Sequence, residues 1–147
     1  GADKKVRSSD YKGRPLLMVF YLGHGCTHCI EQLNLLSPAA KDFEALGISI
    51  VALSTDSTEA LSRTKEKREG GYPFVILSDE SLKTFQAYRA YDDFEQAPLH
   101  GTFLIDATGK VRWQDISFEP FKEMKFLVGE SKRLLGLSSL QVAGGRR

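Results

Sequence analysis

Leu17-Met18-Val19-Phe20-Tyr21-Leu22-Gly23-His24-Gly25-Cys26-Thr27-His28-Cys29-Ile30 is the stretch that decides how this chain reads. It opens inside an apolar run rich in β-formers, Leu16 to Leu22, which predicts a buried strand. Gly23 and Gly25 then permit a sharp turn. From Thr27 onward apolar residues recur at helical spacing, at Ile30, Leu33, Leu36, Ala40, Phe43 and Leu46. A strand, a glycine turn and a helix are expected, with both cysteines and two of the three histidines at the junction.

That placement has a chemical consequence. Cys26 is expected to precede or cap the helix, where unpaired backbone N–H groups and the helix dipole favour an anion. The thiolate, which is the nucleophilic form, should gain from this. Cys29 lies one helical turn on, close enough for a disulfide. Cys26 is thus the candidate attacking thiol and Cys29 the resolving one. His28 would add positive charge beside the pair, stabilise the reduced form and make the disulfide more oxidising.

Two other readings of the same residues compete with redox chemistry. The cysteines can be buried small hydrophobes with no reactivity. Alternatively, His24, Cys26, His28 and Cys29 supply the four ligands that a closed zinc site needs, though crowded across a strand-to-helix junction. A copper carrier using the cysteine pair and one histidine belongs to this metal class. No cofactor is otherwise called for.

The totals exclude more than they assign. At 147 residues the chain is long enough for one domain with a real core. Its 41% hydrophobic and 27% charged content is ordinary for a soluble globular protein. A net charge of +1 gives no sign of nucleic acid or of a membrane surface as partner. No apolar run reaches transmembrane length and no signal segment is expected, so the compartment stays open. The opening Gly1-Ala2 can be a cloning scar, and the chain a piece cut from something larger.

Along the chain, residues 1–15 form a polar lead-in, 16–137 the domain and 138–147 a flexible tail. Pro38 should kink the first helix without ending it, and Gly47 should stop it. Ile48 to Ser54 is a second strand. Asp56 with Glu59 suggests the cap of a helix running to about Glu69, and its mixed charges from Arg63 to Glu69 read as a solvated face. Phe74 to Leu77 is a third strand. A helix follows from Leu82 to about Tyr91, with Phe85, Tyr88 and Tyr91 on one face, and then a loop to Pro98.

Gly101 to Asp106 is a fourth strand. Ala107-Thr108-Gly109-Lys110 turns it back into Val111 to Ser117, where Trp113 is expected to pack. Pro120 suits the first turn of a closing helix that Gly136 ends. The order β-α-β-α-β-α-β-β-α predicts an α/β fold: a mixed, mostly parallel central sheet flanked by helices, with a C-terminal hairpin and helix. Reactive groups in such sheets gather beyond the carboxyl ends of the strands, where Cys26 would sit.

Val19-Phe20-Tyr21 into Gly25-Cys26-Thr27-His28-Cys29, followed by Gly101-Thr102-Phe103-Leu104-Ile105-Asp106 and Gly109-Lys110-Val111, resembles the thioredoxin-fold redoxins. Within them it is most similar to the alkyl hydroperoxide reductase / thiol-specific antioxidant branch. The resemblance spans about Asp10 to Leu137. It implies a thioredoxin-like fold and thiol redox chemistry, with Cys26 attacking and Cys29 resolving.

The chain departs from that branch at two places that matter. Where the peroxiredoxin signature carries a peroxide-binding hydroxyl, this chain has Gly23. Where the family places an activating arginine before the Gly-Thr-Phe-Leu-Ile-Asp strand, it has His100. Thr27-His28 between the cysteines resembles the spacer of oxidising disulfide exchangers. If the resemblance holds, His100 faces Cys26 and can stabilise a thiolate or shuttle a proton. The plainer reading is a surface-loop histidine, and His24 reads as an exposed turn residue.

Thiol–disulfide exchange through Cys26 and Cys29 is therefore the leading expectation, with His28 and His100 as further catalytic candidates. Thiol-dependent peroxide reduction is the alternative. The partner would be a protein or small-molecule thiol or disulfide, or a hydroperoxide.

Overall fold

The computed structural model describes Tyr11 and residues 13–67 and 71–136. In it the deciding stretch becomes β1 (Leu16–Tyr21), a turn, and α1 (Thr27–Ala45). All six residues of β1 are buried. Leu17, Val19 and Tyr21 enter one apolar cluster, and Leu16, Met18 and Phe20 enter another. A strand with both faces covered needs no polar alternation, and this one has none.

The remaining elements are β2 (Ser49–Ser54), α2 (Thr58–Lys67), β3 (Val75–Ser78), α3 (Lys83–Ala87), β4 (Tyr91–Asp92), β5 (Ala97–Pro98), β6 (His100–Ile105), β7 (Val111–Ser117) and α4 (Met124–Leu134). The main sheet has the order β3-β2-β1-β6-β7. β2 is parallel to both β1 and β3, whereas β6 runs antiparallel to β1 and β7 antiparallel to β6. Four of the five strands thus share one direction, and only β6 opposes them. This is the mixed, mostly parallel α/β sheet that the element order predicts.

One face carries α1 and α4. Cys29, Leu33, Leu36, Ala40 and Phe43 of α1 pack there with Met124 and Leu127 of α4. α1 continues through Pro38 and ends at Leu46, where Gly47 adopts φ +77° and donates its N–H to the Glu44 carbonyl. On the opposite face Phe20 meets Phe85 edge-on at 5.0 Å and Phe103 at 5.5 Å. Trp113 packs against Phe121 at 4.9 Å, as expected.

Three expectations need correction. The helix from Leu82 to Tyr91 is a short one, Lys83–Ala87. Leu82 and Arg89 both have φ 63°, and the Asp79 carboxylate accepts the N–H groups of Thr84 and Phe85 at its start. Phe85 and Tyr88 pack together on Phe20, but Tyr91 leaves the helix to pair with Pro98 in a two-stranded ribbon, where a loop was expected. The closing helix starts at Met124, not at Pro120.

Asp56, third, does not cap α2. Ser57 does, accepting the Ala60 N–H at 3.1 Å. Most of the lead-in (1–10 and 12), the tail from 138 and the side chains of 64–69 lie outside the described residues.

Gly101 shows how tightly the sheet is filled beside its functional end. A Cβ built there would lie 2.9 Å from Phe103 Cε1, 3.1 Å from Ala90 Cβ and 3.5 Å from Phe20 Cδ1. Gly101→Ala is expected to destabilise the fold by about 1–3 kcal/mol through overpacking. The check is a lower denaturant midpoint at unchanged slope.

Candidate active site

The carboxyl end of β1 delivers the chain to Gly23, whose φ is +103° and whose missing side chain leaves room for Asp56. A Cβ there would meet Asp56 Oδ1 at 2.8 Å. The turn closes with the Cys26 N–H donating to the Gly23 carbonyl at 3.2 Å. Cys26 is then the N-cap of α1, with extended backbone at φ −99° and ψ 110°, and its carbonyl accepts the Ile30 N–H. It is half-buried, and Cys29 is fully buried behind it. Both are free thiols.

His100 joins them from across the sheet. Phe20 pairs with Gly101 in the antiparallel β1–β6 register, so the residue before it, His100, comes level with the carboxyl end of β1. His100 Nε2 lies 3.0 Å from Cys29 Sγ and 3.9 Å from Cys26 Sγ. It is 4% exposed, so the surface-loop reading is overturned: His100 is the first residue of a buried strand. Its Nδ1 is buried with no hydrogen-bond partner among the described residues.

The surroundings of Cys29 disfavour its thiolate. Burial first, and then the hydrogen bond with Cys26, pushes the Cys29 thiol up to about 12. The Leu22 N–H, donating to Cys29 Sγ at 3.4 Å, opposes this only in part. Burial also holds the His100 imidazole below its ordinary value, against the pull of Glu119 and Asp115. At neutral pH His100 is therefore uncharged, with one ring nitrogen able to accept a proton.

His28 does not join the group. It follows Cys26 by two positions and points outward, 60% exposed, with Nδ1 3.4 Å from a Glu31 carboxylate oxygen. Adjacent helix positions face different ways, and Cys29 takes the inward one. The expected ligand set of His24, Cys26, His28 and Cys29 is thus not assembled. Among the described residues, Cys26, Cys29 and His100 are the potential ligands that converge.

His24 is not an exposed turn residue either. Its side chain is 16% exposed, and its Nδ1 lies 2.9 Å from Asp56 Oδ2, which also accepts the His24 backbone N–H at 3.0 Å and the Ser54 hydroxyl at 2.9 Å. Burial alone would raise the Asp56 carboxyl. The hydrogen bonds from His24 and Ser54 outweigh it and hold the group below its ordinary value.

Asp56 is therefore what pins the turn that aims Cys26, and the sequence reading missed it. A signal was present: an acidic residue just past a buried strand, at the end where such sheets keep their reactive groups. Gln32 was missed as well. It is a fully buried amide one turn beyond Cys29, donating to the Phe121 carbonyl at 3.0 Å and lying 3.5 Å from Thr102 Oγ1.

Asp56→Ala should cost about 1–3 kcal/mol, since it leaves the His24 and Ser54 donors without an acceptor. The contribution has a defined pH sign. It is complete above the ordinary carboxylate value of 3.8 and is lost as pH falls through the lower native value. Denaturation of both proteins at pH 7 and at pH 2–3 should show the difference between them shrinking in acid.

A family model described as AhpC/TSA family matches residues 1–114. The chain belongs to the AhpC/TSA family. Among its relatives, Peroxiredoxin 2 of Drosophila melanogaster is 28% identical over 117 residues, covering 76% of this chain and 60% of the relative. Peroxiredoxin 2 of Thermoplasma acidophilum is 30% identical over 112 residues, covering 74% and 56%. The match therefore spans less than two thirds of these relatives' own length.

The fold is that of solved AhpC/TSA-type structures. Reduced 2-Cys peroxiredoxin of Plasmodium vivax superposes with a TM-score of 0.79 at 19% identity, over 88% of this chain and 82% of that one. AhpC of Enterococcus faecalis gives 0.79 at 16% identity, over 97% and 84%. In this chain Cys26 sits where β1 gives way to α1. Among the described residues, no helix is long and apolar enough to cross a membrane.

Proposed function

We propose that this AhpC/TSA-family chain is a thiol–disulfide oxidoreductase whose working pair is Cys26 and Cys29. The observation that carries the reading is the position of Cys29: fully buried, directly behind a half-exposed Cys26, with His100 Nε2 at 3.0 Å. A thiol that substrate cannot reach, but that its neighbour can, serves as a resolving group.

The exchange proceeds in two displacements. The Cys26 thiolate, favoured by the open N–H groups of the α1 N-terminus, attacks one sulfur of a substrate disulfide and expels the other half as a thiolate. The mixed disulfide at Cys26 brings the Cys29 sulfur into play. With the imidazole proton on Nδ1, His100 Nε2 accepts the Cys29 S–H proton. The Cys29 thiolate then attacks the Cys26 sulfur and releases the second thiolate. The substrate disulfide gains two electrons and the chain ends as the Cys26–Cys29 disulfide. Reduction by a thiol donor reverses both steps.

Hydroperoxide reduction is a second reading, favoured by the peroxiredoxin names of the relatives. There the Cys26 thiolate would take one oxygen, become a sulfenic acid and release the alcohol or water. Cys29 would then condense with it, forming the same disulfide and expelling water. Gly23 and His100, standing where a hydroxyl and an arginine are expected, offer the peroxide less than the family pattern does.

Incubating the reduced protein with a small aromatic disulfide tests the exchange reading. Its product should be an intramolecular Cys26–Cys29 bond, located by peptide mapping, with two equivalents of aromatic thiol released. One equivalent, retained as a stable adduct on the wild-type protein, would refute it.

A further inference from the structure

We propose that the reduced Cys26–Cys29–His100 cluster is also a binding site for a thiophilic cation of the zinc(II)/copper(I) class, which holds the pair reduced and slows its reaction with disulfides. The Cys26 sulfur, the Cys29 sulfur and a His100 ring nitrogen all lie within 4.8 Å of one another. Zinc bonds of about 2.3 Å to sulfur and 2.0–2.1 Å to nitrogen make tetrahedral ligand–ligand edges of roughly 3.3–3.8 Å. The two observed sulfur–nitrogen separations, 3.0 and 3.9 Å, bracket that range. Rotating the half-buried Cys26 side chain closes the rest.

The donor chemistry selects the ion. Two sulfurs and one imidazole suit zinc or copper(I), and the cluster contains no oxygen donor of the kind magnesium or calcium requires. Two thiolates with a neutral imidazole carry a charge of −2, which a divalent ion cancels within a largely buried site. Coordination expels the Cys29 proton, because a metal-bound thiol is held as thiolate. The Leu22 N–H, already on Cys29 Sγ, remains as a hydrogen bond to that thiolate. Three protein ligands leave a fourth position on the open side of Cys26. His24, held by Asp56, and His28, facing outward, do not contribute.

Sharing its electron pair with a metal makes a thiolate a weaker nucleophile, so bound zinc would slow both attack on a disulfide and closure of the Cys26–Cys29 bond until it is removed. That consequence rests on the Cys26 chemistry proposed above. The binding itself does not, and can be read without activity.

Zinc is titrated into the fully reduced chain against a chromophoric chelator, and cobalt(II) is added to a parallel sample. One zinc per chain is expected, at micromolar affinity or tighter. Cobalt should show intense thiolate charge-transfer bands with tetrahedral visible bands. The oxidised chain should bind neither. His100→Ala should weaken zinc by more than the roughly 10–100-fold that loss of an outer-shell partner costs, whereas His28→Ala should leave it unchanged. Stoichiometric binding absent at micromolar zinc, octahedral cobalt bands, or full affinity in His100→Ala would overturn the proposal. The cobalt spectrum decides on the unaltered chain should His100→Ala fail to fold.

Discussion

Cys29→Ser should leave Cys26 able to capture a disulfide substrate but unable to release it. A mixed disulfide of one substrate half per chain should accumulate, and turnover should fall to the rate at which the thiol donor itself clears that adduct. The slightly smaller hydroxyl fits the fully buried position but cannot attack a sulfur. Capture depends on Cys26 at the N-cap of α1, which this substitution does not touch. Intact mass before and after addition of dithiothreitol checks the result: a substrate-sized gain that the reductant removes. Loss of capture itself would mean that Cys29, not Cys26, meets the substrate.

His100→Gln should separate the two displacements even more clearly. A thiol pushed up to about 12 does not ionise unaided near neutral pH, so resolution needs the acceptor 3.0 Å away. Removing a general base of this kind costs about 10²–10⁴-fold in the step it serves. Capture by Cys26, whose sulfur is 3.9 Å from His100, should change far less.

The pH dependence carries a sign. Burial holds His100 below its ordinary 6.5, so the base form persists as pH falls through that value. The resolution rate of the wild-type chain should stay level from neutrality past pH 6.5 and decline only below it. In the glutamine variant the same rate should instead rise with pH as hydroxide takes over. Rapid mixing with an aromatic disulfide, following the first and second thiol released, measures both steps.

What could be read in the sequence and what could not divide along a physical line. β1, the glycine turn, α1 and the two cysteines lie within 30 residues of one another, and their periodicities and turn residues are local. The reading of the elements in that segment, strand, turn and helix, therefore matched the structure. His100 and Asp56 reach the site through strand pairing. His100 is brought in by the antiparallel β1–β6 register and Asp56 by the parallel β1–β2 register, and neither pairing leaves a local mark. The family resemblance drew attention to His100, but only the register buries it.

Asp56 was misread because Glu59 three residues later imitates a capping pattern, while the neighbouring Ser57 supplies the cap. His28 was misread for the opposite reason. It lies close to the cysteines along the chain, but helix geometry turns it outward to Glu31. α3 was overextended because Phe85, Tyr88 and Tyr91 share a helical spacing that two left-handed residues, Leu82 and Arg89, cut short.

The central claim is that the Cys26–Cys29 pair exchanges disulfides. The most direct test follows Cys26 thiol loss in the reduced chain under pseudo-first-order hydrogen peroxide, and separately under a peptide disulfide. Cys29→Ser serves to trap any sulfenic acid. The account predicts peroxide oxidation no faster than that of a free thiolate, no sulfenic acid ahead of disulfide, and faster reaction with the peptide disulfide. Peroxide oxidation many orders of magnitude faster than a free thiolate, with sulfenic acid trapped in Cys29→Ser, would contradict it and make the chain a peroxidase.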